Sequence, residues 1–163
     1  KINSDTLIDT HGAYVVAPRN VAHRLNVPFV DATKITHDIE TELGIEGSRK
    51  LHMWFRPGEC SQIPKGRQDN THYNVYGARL VANALADEIG KQVPELKKHV
   101  RHYDYVVSTR GRGNYFTLQD AVDAVPAGKR VKVLVLDGSW KKPENMKGKK
   151  IKFILQFGAK ITD

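Results

Sequence analysis

The run DNTHYNVYGARLVANALADEIGKQV, residues 69–93, decides how the first part of this chain is read. Ala78, Val81, Ala82, Leu85 and Ile89 recur at helical spacing and form one apolar face, so a helix is expected from Asn74 to Val93, ended by Pro94. Ahead of it, Asp69 and His72 are close enough in sequence for both side chains to project from one turn. A histidine takes a proton from a serine hydroxyl near neutral pH when its other ring nitrogen is held by an acceptor, and an aspartate supplies one. Asp69 and His72 are therefore the candidate catalytic residues, His72 as general base and then general acid, Asp69 as the group that fixes its tautomer. The pair alone leaves a second reading open, because an aspartate before a helix is often a cap and an exposed histidine is often idle.

Upstream of this run, Lys50 to Gln68 holds Trp54, Phe55, Pro57, Gly58, Pro64 and Gly66 with little periodicity, which predicts a long irregular loop. Trp54 and Phe55 are candidates for a substrate-binding wall on which a sugar ring stacks, with core packing as the alternative. Further back, a helix is expected within Gly12 to Leu25, starting near Pro18, then a strand at Val27 to Asp31. Another helix should follow from a cap at Thr33 through Leu43, closed by Gly44. Helix, strand and helix in that order suggest a layered α/β fold.

Downstream, the charged stretch Glu95 to His102 marks an expected boundary, giving domains 1–98 and 99–163. Strands are expected at Tyr105 to Val107, Val131 to Leu136 and Ile151 to Phe157, with a capped helix from Thr117 to Val125 stopped by Pro126. Gly111-Arg112-Gly113 suits either an anion cradle or a tight turn before that helix, and the turn is favoured.

The net charge of +8 is unevenly placed: residues 1–100 carry 13 basic and 12 acidic side chains, residues 101–163 carry 13 and 6. Such an excess attracts acidic polymers, although a solvated lysine face explains it equally. No nucleic-acid reading motif accompanies the basic residues, so nucleic acid is not the expected partner. No run approaches the roughly 18 apolar residues of a membrane span, so no membrane is expected. The single cysteine, Cys60, allows no internal disulfide, and it lacks the setting of a nucleophile beside His72. His11, His23, His37, His52, His99 and His102 are scattered without zinc spacing, so neither a metal nor another cofactor is expected.

Taken with Gly58-Glu59, Gly66, Asn74 and Gly77-Ala78, the Asp69-x-Thr71-His72 run resembles the last block of the SGNH hydrolases, within the rhamnogalacturonan acetylesterase group. Leu7 to Tyr14 and Val27 to Asp31 are similar to that group too, so the resemblance covers about residues 1–93. It implies the C-terminal part of a flavodoxin-like α/β/α sandwich, and an enzyme that removes acetyl esters from pectic polysaccharide with Asp69 and His72 completing a Ser-His-Asp triad. The family's nucleophile follows a Gly-Asp pair, and none of Ser4, Ser48, Ser61, Ser108 or Ser139 does. The serine is therefore expected outside this chain, leaving the chain alone incomplete and inactive.

Tyr105 to Val107 and Gly111 to Pro126 resemble the opening of pectin methylesterases, with the likeness covering about residues 104–138. This implies the N-terminal cap and first strands of a right-handed parallel β-helix across the second part, with no catalytic residue inside it. The joint expectation is a carboxylic ester hydrolase acting on pectic polysaccharide, on acetyl and also methyl esters. It would be secreted or periplasmic, as its substrate requires. The rival expectation is a non-catalytic fragment or scaffold that binds an acidic polysaccharide. Oligomeric state is not legible.

Overall fold

A computed structural model of the chain describes residues 2–3 and 6–163. The chain divides into two compact units, Lys1–Val100 and Arg101–Asp163.

The first unit opens with a short antiparallel pair, β1 (Ile2–Asn3) and β2 (Thr6–Leu7). A 3-10 turn at Gly12–Val15 runs directly into α1 (Val16–Leu25). Pro18 lies in the first turn of α1, where a missing N–H costs nothing, so the helix starts ahead of it. Asn26 closes α1 in the left-handed conformation, φ 50°.

The strand expected at Val27 to Asp31 does not form among the described residues. The Val27 amide is drawn back to the Ala22 carbonyl, Pro28 has no donor, and Asp31 is committed to capping the next helix. Asp31 accepts from the Lys34 amide at 3.0 Å and from Arg19 at 2.5 Å, so it, rather than Thr33, is the cap.

Helix α2 (Ala32–Leu51) is broken at Gly44, whose φ of 66° and ψ of −173° are not helical. Gly44 thus ends the first helical segment as its residue type suggests, but the chain re-enters helix instead of leaving it. Ser48 Oγ bridges the break by donating to the Glu40 carbonyl at 2.9 Å. From Leu51 the chain passes straight into β3 (His52–Phe55), which pairs antiparallel with β4 (Arg67–Tyr73). The irregular loop expected from Lys50 to Gln68 is therefore a hairpin whose long connection holds the prolines and glycines.

Helix α3 (Val75–Gln92) is capped by Asn74, whose Oδ1 accepts from the Gly77 amide at 2.9 Å. The start of α3 lies hard against the end of α2, since a Cβ on Gly77 would come within 2.2 Å of the Leu51 carbonyl oxygen. Glycine is required there by space. A short helix, α4 (Pro94–Lys97), follows with Pro94 in its first turn. Buried apolar side chains in this unit are few: Ala22, Leu51 and Val81.

The flavodoxin-like α/β/α sandwich is corrected by these pairings. The described strands of the first unit form two antiparallel pairs, with no parallel sheet for helices to flank. The chain is a mixed α/β protein, and its parallel strands lie in the second unit.

That unit contains β5 (Tyr105–Val107), α5 (Leu118–Asp123), β6 (Arg130–Val135), β7 (Ser139–Lys141), β8 (Lys150–Leu155) and β9 (Lys160–Thr162). Strands β5, β6 and β8 make a parallel sheet in that order, and β7 pairs in parallel with β9. Thr117 caps α5 by accepting from the Asp120 amide at 3.1 Å. Leu118, Ala121 and Val125 then pack with Val107, Val131, Val133 and Val135 into one apolar core. Lys149 Nζ meets the Val122 carbonyl at 2.6 Å at the far end of α5, where a cation suits the helix dipole.

The expected β-helix cap and first strands are corrected here. Both sheets are open, and none curls back on itself to make a solenoid coil. Helix α5 links two parallel neighbours, β5 and β6, and buries its apolar face in the core shared with them, which is the arrangement of a β-α-β unit. A capped amphipathic helix between short β-branched strands is the signature of both architectures. Sequence pattern therefore does not separate them.

Candidate catalytic site

The site is built by an irregularity in the β3–β4 ladder. Phe55, Trp54 and Met53 lie opposite Arg67, Gln68 and Asp69, yet the next residue of β3, His52, lies opposite Tyr73. Asn70, Thr71 and His72 have no counterparts on β3 and are extruded as a wide bulge. Its downstream leg is pinned by Asn74, whose amide donates to the Leu51 carbonyl at 2.8 Å. The Asn74 side-chain amide donates to the Lys50 and His52 carbonyls at 2.8 and 2.9 Å.

Asp69 holds the bulge together from its upstream leg. Its Oδ1 accepts from the Thr71 and His72 amides at 2.8 and 3.0 Å. Its Oδ2 lies 2.9 Å from His72 Nδ1 and accepts from Arg67 at 2.7 Å. The His72 amide above all, then the Thr71 amide, with the His72 ring and Arg67 adding to them, hold the Asp69 carboxyl far below the usual carboxylate range. An ionised carboxylate only accepts, so the Nδ1 position of His72 carries the proton. In the neutral imidazole the lone pair is then on Nε2. The Asp69 side chain is 13% exposed and that of His72 is 66% exposed, so the carboxylate is sheltered and the ring is open to solvent.

Arg67 was not singled out in the sequence, although alternation along a strand puts residues 67 and 69 on one face and would have shown it. Glu40, on α2, was not singled out either, and it accepts from Tyr73 Oη at 2.7 Å beside the bulge. His52 lies near it, Nε2 to Oε1 at 3.7 Å, while its Nδ1 donates to the Ser48 carbonyl at 2.8 Å. Glu40 and burial together push the Tyr73 phenol upward, burial being the larger cause. These residues form one wall of a cavity of about 410 Å³ that also reaches Asp9, His11 and the bulge residues Asn70 and Thr71. His11 Nδ1 lies 2.8 Å from Asp9 Oδ1 on that cavity, a second aspartate–histidine contact, whereas Asp69 and His72 do not line it.

Trp54 is tied to the bulge, its Nε1 donating to Asn70 Oδ1 at 2.6 Å. The Arg49 guanidinium covers one face of the indole at 4.8 Å from the ring centroid. Phe55 is the next residue of the same strand and projects to the opposite face, so the two aromatic rings are not brought together. The serines lie elsewhere: Ser48 is bonded to Glu40, Ser108 to Asp137, and no described serine hydroxyl bonds to His72. Among the described residues no group of three or more His, Cys, Asp or Glu side chains could hold a metal ion, and no helix is long and apolar enough to cross a membrane.

The chain is similar to a carbohydrate esterase. It is 36% identical over 91 residues to the rhamnogalacturonan acetylesterase RhgT of Bacillus subtilis (strain 168). The matched stretch is 56% of this chain and 39% of that protein, so the chain spans well under half the length of its relative. No family model matches the chain, and no solved structure matches it.

Proposed function

We propose that the chain carries the relay of a serine-type carbohydrate esterase that removes acetyl groups from pectic polysaccharide. His72 Nε2 takes the proton of a serine hydroxyl as that oxygen attacks the acetyl carbonyl, then returns a proton to the departing sugar hydroxyl. Asp69 holds the Nδ1–H and balances the charge of the imidazolium that forms between the two steps. The observation that carries this reading is the 2.9 Å contact between Asp69 Oδ2 and His72 Nδ1 on a bulge that leaves the other ring nitrogen open. The likeness to RhgT, named as a rhamnogalacturonan acetylesterase, supports this choice of substrate class. A secreted or periplasmic location goes with such a substrate.

Two measurements test the reading. Nitrogen NMR of the neutral His72 ring should show the Nδ1–H tautomer, and a predominant Nε2–H form would remove the relay. With a segment that bears the serine supplied so that the parent is active, acetate release from acetylated rhamnogalacturonan should be lost in His72→Ala. A variant as active as the parent would place the chemistry elsewhere.

A further inference from the structure

The second unit places four cations side by side on one face of its parallel sheet. In β6 the odd-numbered residues Val131, Val133 and Val135 point into the core, which turns Arg130 and Lys132 outward. In β8 Ile151 and Phe153 pack against the same core, which turns Lys150 and Lys152 outward. The register sets Arg130 beside Lys150 and Lys132 beside Lys152. All four are exposed, and among the described residues no carboxylate forms an ion pair with any of their side chains, although the Asp104 carboxylate accepts from the Lys132 backbone amide at 2.8 Å. Neighbouring strands lie about 4.8 Å apart and alternate residues about 6.7 Å apart along a strand. Like charges at that spacing destabilise a sheet unless something neutralises them.

We propose that this face of β6 and β8 is a binding surface for a carboxylated polysaccharide. A polyuronate chain is an extended ribbon with one carboxylate per ring, and it would lie across a flat lattice of cations. Arg130 offers paired donors to one carboxylate, and the three lysines act as point charges beside it. The outward positions that continue the two strands are the half-buried Leu134 and Ile154. The outward positions of the two strands thus carry no aromatic ring on which a nucleobase would stack, which favours the glycan over a single-stranded nucleic acid. The inference is independent of the esterase reading, since acetate release reports on the first unit and glycan retention on these four cations.

The test compares two double variants of equal net charge, Lys132→Gln with Lys152→Gln on this face, and Lys141→Gln with Lys160→Gln on the β7–β9 pair. Retention on immobilised polygalacturonate is measured across a salt series, with melting curves to confirm that both fold. The first double should lose roughly tenfold in affinity, as expected for two exposed ion pairs, and the second under about twofold. Fully methyl-esterified pectin should not be retained by the parent. Equal losses in the two doubles would reduce the effect to net charge and overturn the site. So would tighter binding of a single-stranded oligonucleotide that displaces polygalacturonate.

Discussion

Replacing Asn74 by Ala removes a side chain that serves three segments at once. Its Oδ1 caps α3 at the Gly77 amide, and its Nδ2 donates to the carbonyls of Lys50 and His52, where α2 ends and β3 begins. Loss of a helix N-cap costs about 1 kcal/mol. Each of the two donated bonds is worth about 1 kcal/mol when sheltered and less where water replaces it, as at the exposed Lys50 contact. The sum is about 2 kcal/mol. Asp at the same position keeps the cap and suits the helix N-terminus, but it cannot donate, so Asn74→Asp should fall between the parent and Asn74→Ala. Urea denaturation followed by far-ultraviolet circular dichroism gives the order, and backbone amide exchange of Thr71 and His72 shows whether the bulge loosens with it. An Asn74→Ala protein within about 0.5 kcal/mol of the parent, or an Asp variant as stable as the parent, would refute the claim that this side chain ties the three segments together.

Other outcomes follow from the same geometry. Gly77→Ala should destabilise the first unit by about 2 to 4 kcal/mol, because the added methyl meets the Leu51 carbonyl and the backbone must move; a neutral result by denaturation would show that α3 rides further from α2. The Asp69 carboxyl is held below its unfolded value, so its contribution is fully present above the ordinary carboxylate range of about 4 and fades as pH falls through the folded value. The amide shifts of Thr71 and His72 should therefore stay fixed down to mild acid and move only in strong acid, a response that Asp69→Asn should remove. Leu118→Ala should cost the second unit about 2 to 4 kcal/mol, since the side chain is 1% exposed within its core, with thermal unfolding as the readout.

The elements that sequence pattern foresaw are those whose periodicity and caps agree. Helix α3 begins after Asn74 and ends ahead of Pro94, and α5 follows Thr117, because a polar cap, an apolar face and a proline stop all point the same way. Strands β5, β6 and β8 stand within two residues of their expected bounds, since β-branched runs flanked by turns leave little else to form. What failed was long-range pairing. Trp54 and Phe55 pair with Gln68 and Arg67 across a connection rich in proline and glycine, and nothing local announces that partnership. The apolar run at Val27 to Val30 failed in the opposite sense, because a strand needs a neighbour and this segment has none among the described residues. For the same reason the parallel strands of the second unit were legible as strands, while their arrangement as open sheets was not.

The spacing of Asp69 and His72 made their meeting conceivable, but one turn at the end of an irregular loop ahead of the helix was the expected setting and a strand bulge is the actual one. Nothing in the sequence points to Glu40 and Tyr73 meeting near them, because that contact depends on the register of one hairpin and on the bend at Gly44, whereas strand alternation puts Arg67 on the face of Asp69.

That register has a parity. Asp69 and Tyr73 are four residues apart and would share a face in a regular strand, yet their partners Met53 and His52 are adjacent and face opposite ways. An odd surplus between them is what sends Tyr73 toward Glu40 while Asp69 stays with His72. Substitutions at Thr71 leave the count unchanged, and at Asn70 they give up only the Trp54 contact. A deletion of one residue from the same segment would make the surplus even and reverse one leg of the hairpin, so a change in length is barred where a change in letter is tolerated.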